Sequence, residues 1–143
     1  MRKYASLALS LALCAGTARA QNCGDLQVTG NGAPGTDVVL DLVGSTPNAF
    51  AFCAIGDTQG TTTIHLGSFA TLTMDLATPF IPIPMGRTDA NGDASLTISV
   101  PSGFAQSLDL YGQAVAVDFG IVPGTGISLS FCVSDVEMFH LGT

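Results

Sequence analysis

Over most of this 143-residue chain, apolar residues recur at every second position, in segments interrupted by Gly, Pro, Asn or Asp. That is the pattern of half-buried β-strands joined by tight turns. Val38, Leu40 and Leu42 share one phase, with Asp37 and Asp41 on the other. Thr63–Leu66 and Leu72–Leu76 alternate likewise, and Leu96, Ile98 and Val100 alternate with Ser95, Thr97 and Ser99 before Pro101 closes the segment. Ile127, Leu129, Phe131 and Val133 form the last clear strand. Asn48–Ile55 is apolar on both phases, which predicts a strand buried on two sides or packed under a loop. In Phe80–Met85, Pro82 and Pro84 occupy one phase; proline cannot donate to a ladder, so this segment belongs at a sheet edge. Leu108 and Leu110 are even-numbered inward candidates, whereas Val115, Val117 and Phe119 are odd. A β-bulge at Gly112-Gln113 would keep both sets in the core. In that case Gly112→Val is costly and Gln113→Thr costs much less. No window carries a helical apolar stripe; the nearest, Ser102–Leu108, is short. About eight or nine short strands predict an all-β fold, a single antiparallel β-sandwich of Ig-like or jelly-roll-like type.

Composition changes this picture at the start of the chain. Arg2 and Lys3, an apolar run from Ala5 to Ala15, and Ala18-Arg19-Ala20 read as an export signal cleaved before Gln21. The apolar run is about half the ~20 residues that a membrane anchor requires. Cys14 follows Leu13, too large for a lipoprotein signal. The expected organisation is therefore a signal peptide over 1–20 and one β-sandwich domain over 21–143, secreted, periplasmic or held at the cell surface. Residues 21–143 carry one arginine, Arg87, no lysine and all eleven acids, a net charge of −10. Nucleic acid and anionic lipid surfaces need clustered Lys and Arg, and this segment has no such cluster. No later segment is long and apolar enough to span a bilayer as a helix.

Three cysteines follow the signal: Cys23, Cys53 and Cys132. Their spacing matches no zinc pattern, and an odd number in an oxidising compartment predicts one disulfide and one buried thiol. Two strand-like segments, Phe50–Ile55 and Ile127–Val133, favour Cys53–Cys132, while a bridge to Cys23 would tether the terminus. Spacing does not decide between them.

The search for chemistry yields no catalytic, cofactor-binding or metal residues. His65 lies on the polar phase of a strand, and His140 is three residues from the terminus, where chains are usually loose. A hydrolase built around His65 ranks third among the functional readings, because no Gly-x-Ser-x-Gly elbow is present and nothing raises a His65–Asp–Ser triad above chance. The single glutamate, Glu137, and ten aspartates suit solvation better than paired-carboxylate chemistry. Tryptophan is absent, Tyr111 is the only tyrosine after the signal, and the phenylalanines are expected in the core. Gly30-Asn31-Gly32 and Gly124-Thr125-Gly126 precede no helix and read as turns. Arg87–Asp93 reads as a hairpin turn in which Asn91-Gly92 accepts positive φ. It also spaces Asp89, Asn91 and Asp93 as a calcium loop does, yet the positions that need glycine and glutamate hold Ala94 and Val100.

The succession Asn31-Gly32-Ala33-Pro34-Gly35-Thr36, Thr88-Asp89-Ala90-Asn91-Gly92-Asp93-Ala94, Ser99-Val100-Pro101 and Leu110-Tyr111-Gly112-Gln113-Ala114-Val115-Ala116-Val117-Asp118 resembles a family of small exported β-sandwich proteins and modules of planctomycete-like bacteria. The likeness spans about Asn31 to Phe131 and rests on turn and strand signals. The chain departs from the pattern at its compressed start, Ala33-Pro34, and at Leu110 directly before Tyr111. The resemblance implies the fold and the export, and no activity or site residues. The expected function is thus an exported non-enzymatic protein of the envelope, matrix or adhesion, with a protein or glycan partner at the cell surface. The alternative is a small-ligand or calcium-binding module that uses the acidic turns.

Overall fold

The structure, a computed structural model, describes residues 21–68, 70–124 and 126–143. The expected signal peptide and Cys14 lie outside the described residues, as do Phe69 and Thr125. The described residues contain no helix. Ten strands follow in order: β1 (Gln21–Asn22), β2 (Asp25–Thr29), β3 (Asp37–Val43), β4 (Phe50–Gly56), β5 (Gln59–Leu66), β6 (Ala70–Leu76), β7 (Phe80–Arg87), β8 (Ala94–Ser99), β9 (Ser107–Val122) and β10 (Gly126–Gly142). Nine of them pair antiparallel, and the two-residue β1 lies parallel to β10. The fold is a small antiparallel β-sandwich, as the alternation predicts, although β9 and β10 run to 16 and 17 residues.

A five-stranded sheet, β1-β10-β9-β4-β7, forms the centre, and a three-stranded sheet, β2-β3-β8, packs on one face. Between them lie Leu26, Val38, Leu40, Leu42, Ala51, Cys53, Ala114, Ala116 and Phe139, all buried. The opposite face of the central sheet is partly covered by the β5-β6 hairpin, which buries Leu72, Met74 and Leu76 against Ala54, Val115 and Val133. The central strands are therefore covered on both sides, which is why Asn48–Ile55 is apolar on both phases. Pro82 and Pro84 lie in β7, the edge strand, where a missing N–H costs no ladder bond.

The same two-sided burial corrects the reading of β9. Gly112 and Gln113 hold continuous register with β4 through Ile55↔Gly112 and Ala54↔Gln113, so no bulge lies there. Leu110, Ala114 and Ala116 face one core, and Tyr111, Val115 and Val117 face the other. The apparent change of phase is a strand with two apolar faces. The bulge sits on β10 instead, where Val133 pairs with Val115 and Val136 with Gln113. Its groups are satisfied locally. The Ala114 N–H donates to Ser134 Oγ at 2.9 Å, and Gln113 Nε2 donates to the Ser134 carbonyl at 2.9 Å. Gln113 Oε1 accepts the Asp75 N–H of β6 at 2.8 Å, and Asp135 Oδ1 accepts the Leu26 N–H of β2 at 3.0 Å. One irregularity thereby ties all three sheets together. Gln113 is fully buried, so the expectation of a mild Gln113→Thr is overturned.

Gly112 matters for its size. A Cβ there would sit 3.4–3.5 Å from Cys53 Sγ, Leu26 Cδ2 and Phe139 Cε1, in ordinary contact with each. Gly112→Ala should therefore leave the urea midpoint nearly unchanged. Gly112→Val should cost about 1–3 kcal/mol through overpacking. Equal losses in both variants would mean a backbone requirement instead.

The disulfide is Cys23–Cys132, not Cys53–Cys132. Beside it, β1 lies along β10 with Gln21 opposite Cys132, a parallel contact that no periodicity announces. Cys53 is the free thiol, fully buried, and burial pushes its pKa up to about 12. The thiolate is the reactive form. Thiol reagents should accordingly leave the native protein untouched and label one cysteine once it is denatured without reduction.

Candidate functional site: an open apolar face

The long β9-β10 ribbon projects past the hairpin that covers its base. On one face its cross-strand pairs are Val115↔Val133, Val117↔Phe131, Phe119↔Leu129 and Ile121↔Ile127. Burial falls steadily along this row. Val115 is 0% exposed and Val133 2%, whereas Phe119 is 59%, Ile127 63% and Ile121 88% exposed. Past the base, where Ala114, Ala116 and Cys132 are buried, the other face of the same ribbon presents Asp118, Gly120, Ser128 and Ser130, so this stretch is amphipathic. Expecting Phe119 in the core was therefore wrong, although Val115 and Val117 do pack there. Phe50, 53% exposed, is likewise outside the core.

Where the hairpin stops, an open cleft of about 460 Å³ remains between it and the central sheet. Phe52, Val117, Phe119, Leu129 and Phe131 form its floor, and Ile64, Leu66 and Leu72 form the wall. Every lining residue is apolar. Water gains little in such a space, because it finds no polar partners. The rim is aromatic and cationic. Phe50 meets Phe119 edge to face, with ring centroids 6.2 Å apart. The Arg87 guanidinium stacks over Phe50 at 5.0 Å from its centroid and donates to the Asn48 carbonyl at 3.1 Å.

The residues singled out by motif are used structurally. Arg87–Asp93 is an arch that carries the chain from β7 in one sheet to β8 in another, and not a hairpin. It is clasped to the β3-β4 loop: Thr88 Oγ1 donates to the Thr46 carbonyl at 2.6 Å and accepts the Ala49 N–H at 2.9 Å. Gly92, at φ +86°, lies so close to Ser45 that a Cβ would fall 1.9 Å from its carbonyl oxygen. Asp89 Oδ1 accepts the N–H groups of Asp93 and Asn91 at 3.0 and 2.7 Å, and Asp93 Oδ1 accepts the Gly44 N–H at 2.8 Å. A shallow acidic cleft is bordered by Asp41, Asp89 and Asp93. No group of three or more His, Cys, Asp or Glu among the described residues is placed to hold a metal ion.

These bonds favour the ionised form of Asp89, holding its carboxyl below the usual carboxylate range, with Asp93 N–H the larger cause and Asn91 N–H the next. The contribution of Asp89 to the turn is complete above the ordinary aspartate value and is lost as pH falls through its depressed one. Glu137 moves the other way, raised by partial burial and then by the charge of Asp135. Carboxyl carbon NMR should find Asp89 titrating below the ordinary aspartate value and Glu137 above the ordinary glutamate value. The reverse order would contradict the hydrogen bonding described.

His65 is exposed on β5, and its Nδ1 lies 3.3 Å from Thr71 Oγ1. His140 is not in a loose terminus: β10 continues to Gly142, with His140 opposite Asp109 and Nδ1 to Oδ1 at 2.8 Å. No helix of the described residues is long and apolar enough to cross a membrane. No known protein family, curated protein or solved structure matches the chain.

Proposed function

We propose that the chain is an exported, non-enzymatic binding module of the envelope or matrix, which captures apolar ligands in the cleft between the β5-β6 hairpin and the central sheet. The observation that carries this reading is the row of aromatic and aliphatic side chains that passes from fully buried to almost fully exposed along one face of the β9-β10 ribbon. A face of that kind is costly to leave in water, and contiguous exposed apolar surface marks interaction sites. The cleft has a floor and a wall and a volume within the ~300–1,000 Å³ typical of small-ligand sites. The Cys23–Cys132 disulfide supports an oxidising compartment. The acidic turns are a weaker candidate, because Asp89 and Asp93 each already accept backbone N–H groups.

The test uses a fluorescent hydrophobic dye such as anilinonaphthalene sulfonate on the native protein. Strong enhancement is expected, and Phe119→Ser with Leu129→Ser should abolish it with little change in the urea midpoint. A native protein that leaves the dye dark would defeat the proposal.

A further inference from the structure

We infer that the cleft takes a single-chain amphiphile with an anionic headgroup: the aliphatic chain lies on the apolar floor and the head meets Arg87. This rests on the apolar-cleft reading above and adds the chemistry of the ligand's polar end.

Arg87 is the only Lys or Arg in residues 21–143, against eleven acids. In so acidic a chain, the expected fate of a lone arginine is a carboxylate partner. Among the described residues Arg87 forms no ion pair with a carboxylate; the one basic side chain there within reach of an acid is His140, whose Nδ1 lies 2.8 Å from Asp109 Oδ1. Instead the guanidinium lies on Phe50, whose ring abuts Phe119 at the floor of the cleft. One donor reaches the Asn48 carbonyl, and a guanidinium has five N–H donors in a planar fork suited to carboxylate or phosphate. The one Lys or Arg side chain of residues 21–143 is thus held one ring away from an apolar cleft that no acid lines. Nearby carboxylates point elsewhere. Asp118 takes the opposite phase of β9 from Val117 and Phe119, and Asp89 turns its Oδ1 to its own loop. Elsewhere the excess of negative charge repels anions, so an anionic head has one favourable place to go. A cleft bounded by a floor and a wall of apolar side chains suits the hydrocarbon of a dissolved amphiphile more than the surface of a bilayer.

Calorimetry below the micelle-forming concentration provides the test, with octanoate, decanoate, dodecanoate and 1-decanol as probes. Binding of one carboxylate per chain is expected, tightening about fourfold per added methylene. Decanoate should bind about tenfold tighter than 1-decanol, as a charge-assisted hydrogen bond provides. Arg87→Gln should remove that tenfold and leave 1-decanol unchanged, and Arg87→Lys should restore part of it. Equal binding of decanoate and 1-decanol, or a preference that survives Arg87→Gln, would overturn the headgroup assignment and leave the apolar cleft standing. Binding of neither probe would overturn both. Binding to anionic phospholipid vesicles without binding to decanoate would also overturn the inference, as would a dimer that occludes Phe119 and excludes decanoate.

Discussion

Gln113→Leu is expected to destabilise the domain by about 2–5 kcal/mol, because two backbone groups lose their partners inside the protein. The side chain is 0% exposed. Its Oε1 serves the Asp75 N–H of the hairpin, and its Nε2 serves the Ser134 carbonyl at the β10 bulge. Leucine fills similar space and serves neither. Threonine is too short to reach both, so Gln113→Thr should fall in the same range. Gln113→Glu gives a finer test. It keeps an acceptor for Asp75, but when ionised it turns a carboxylate oxygen against the Ser134 carbonyl. Burial raises the pKa of such a glutamate. Its cost is therefore greatest above the raised value and shrinks as pH falls through it, when the protonated acid can donate to Ser134. Urea midpoints across pH would show this. A Gln113→Leu protein as stable as wild type would mean that water replaces the lost partners and the bulge is not held by this side chain.

Cys23→Ser should be comparably damaging. The Cys23–Cys132 bridge closes a loop with a sequence separation of 109 residues, and cross-linking so long a segment restricts the unfolded chain by roughly 4–5 kcal/mol on the chain-entropy account. Measured losses for native disulfides in small secreted domains run to about 2–5 kcal/mol. A fall in melting temperature of about 10–20 °C is expected for a domain of this size. Cys23 is the better position to replace, because Cys132 is buried in the core and its removal would add a packing defect. Cys53→Ala opens only a small space beside Gly112 and should cost clearly less. Identical melting of oxidised and reduced protein would show that the bridge adds nothing.

Much of the fold was legible in the strand pattern. Val38, Leu40 and Leu42 face the core as their alternation requires, and Pro82 and Pro84 mark the sheet edge. Asn48–Ile55 was readable as a strand buried on two sides. Residues 108–119 carry the same signature, but the opposing phases of Leu110 and Val115 mimic a one-residue slip. Two apolar faces and one bulged face look alike in sequence until the covering layers are known. The true bulge did leave a signal in β10, where the apolar phase moves from Val133 to Val136. Its residues, Ser134 and Asp135, carry no glycine, so nothing punctuates the strand there. The disulfide was hidden because Cys23 reaches Cys132 through a strand of two residues, too short for any period. The candidate site was hidden for a related reason. Phe119, Ile121 and Ile127 are patterned as core residues, and only the short reach of the β5-β6 hairpin leaves them uncovered.

The claim that this uncovered end is the working surface is tested most directly by methyl NMR of the native protein during addition of decanoate. Ile64, Leu66, Leu72, Val117 and Leu129 should shift together along one saturating curve. Leu26, Leu40 and Leu42, in the core on the other side of the central sheet, should stay still. Silent cleft methyls, or shifts centred on Leu26, Leu40 and Leu42, would contradict it.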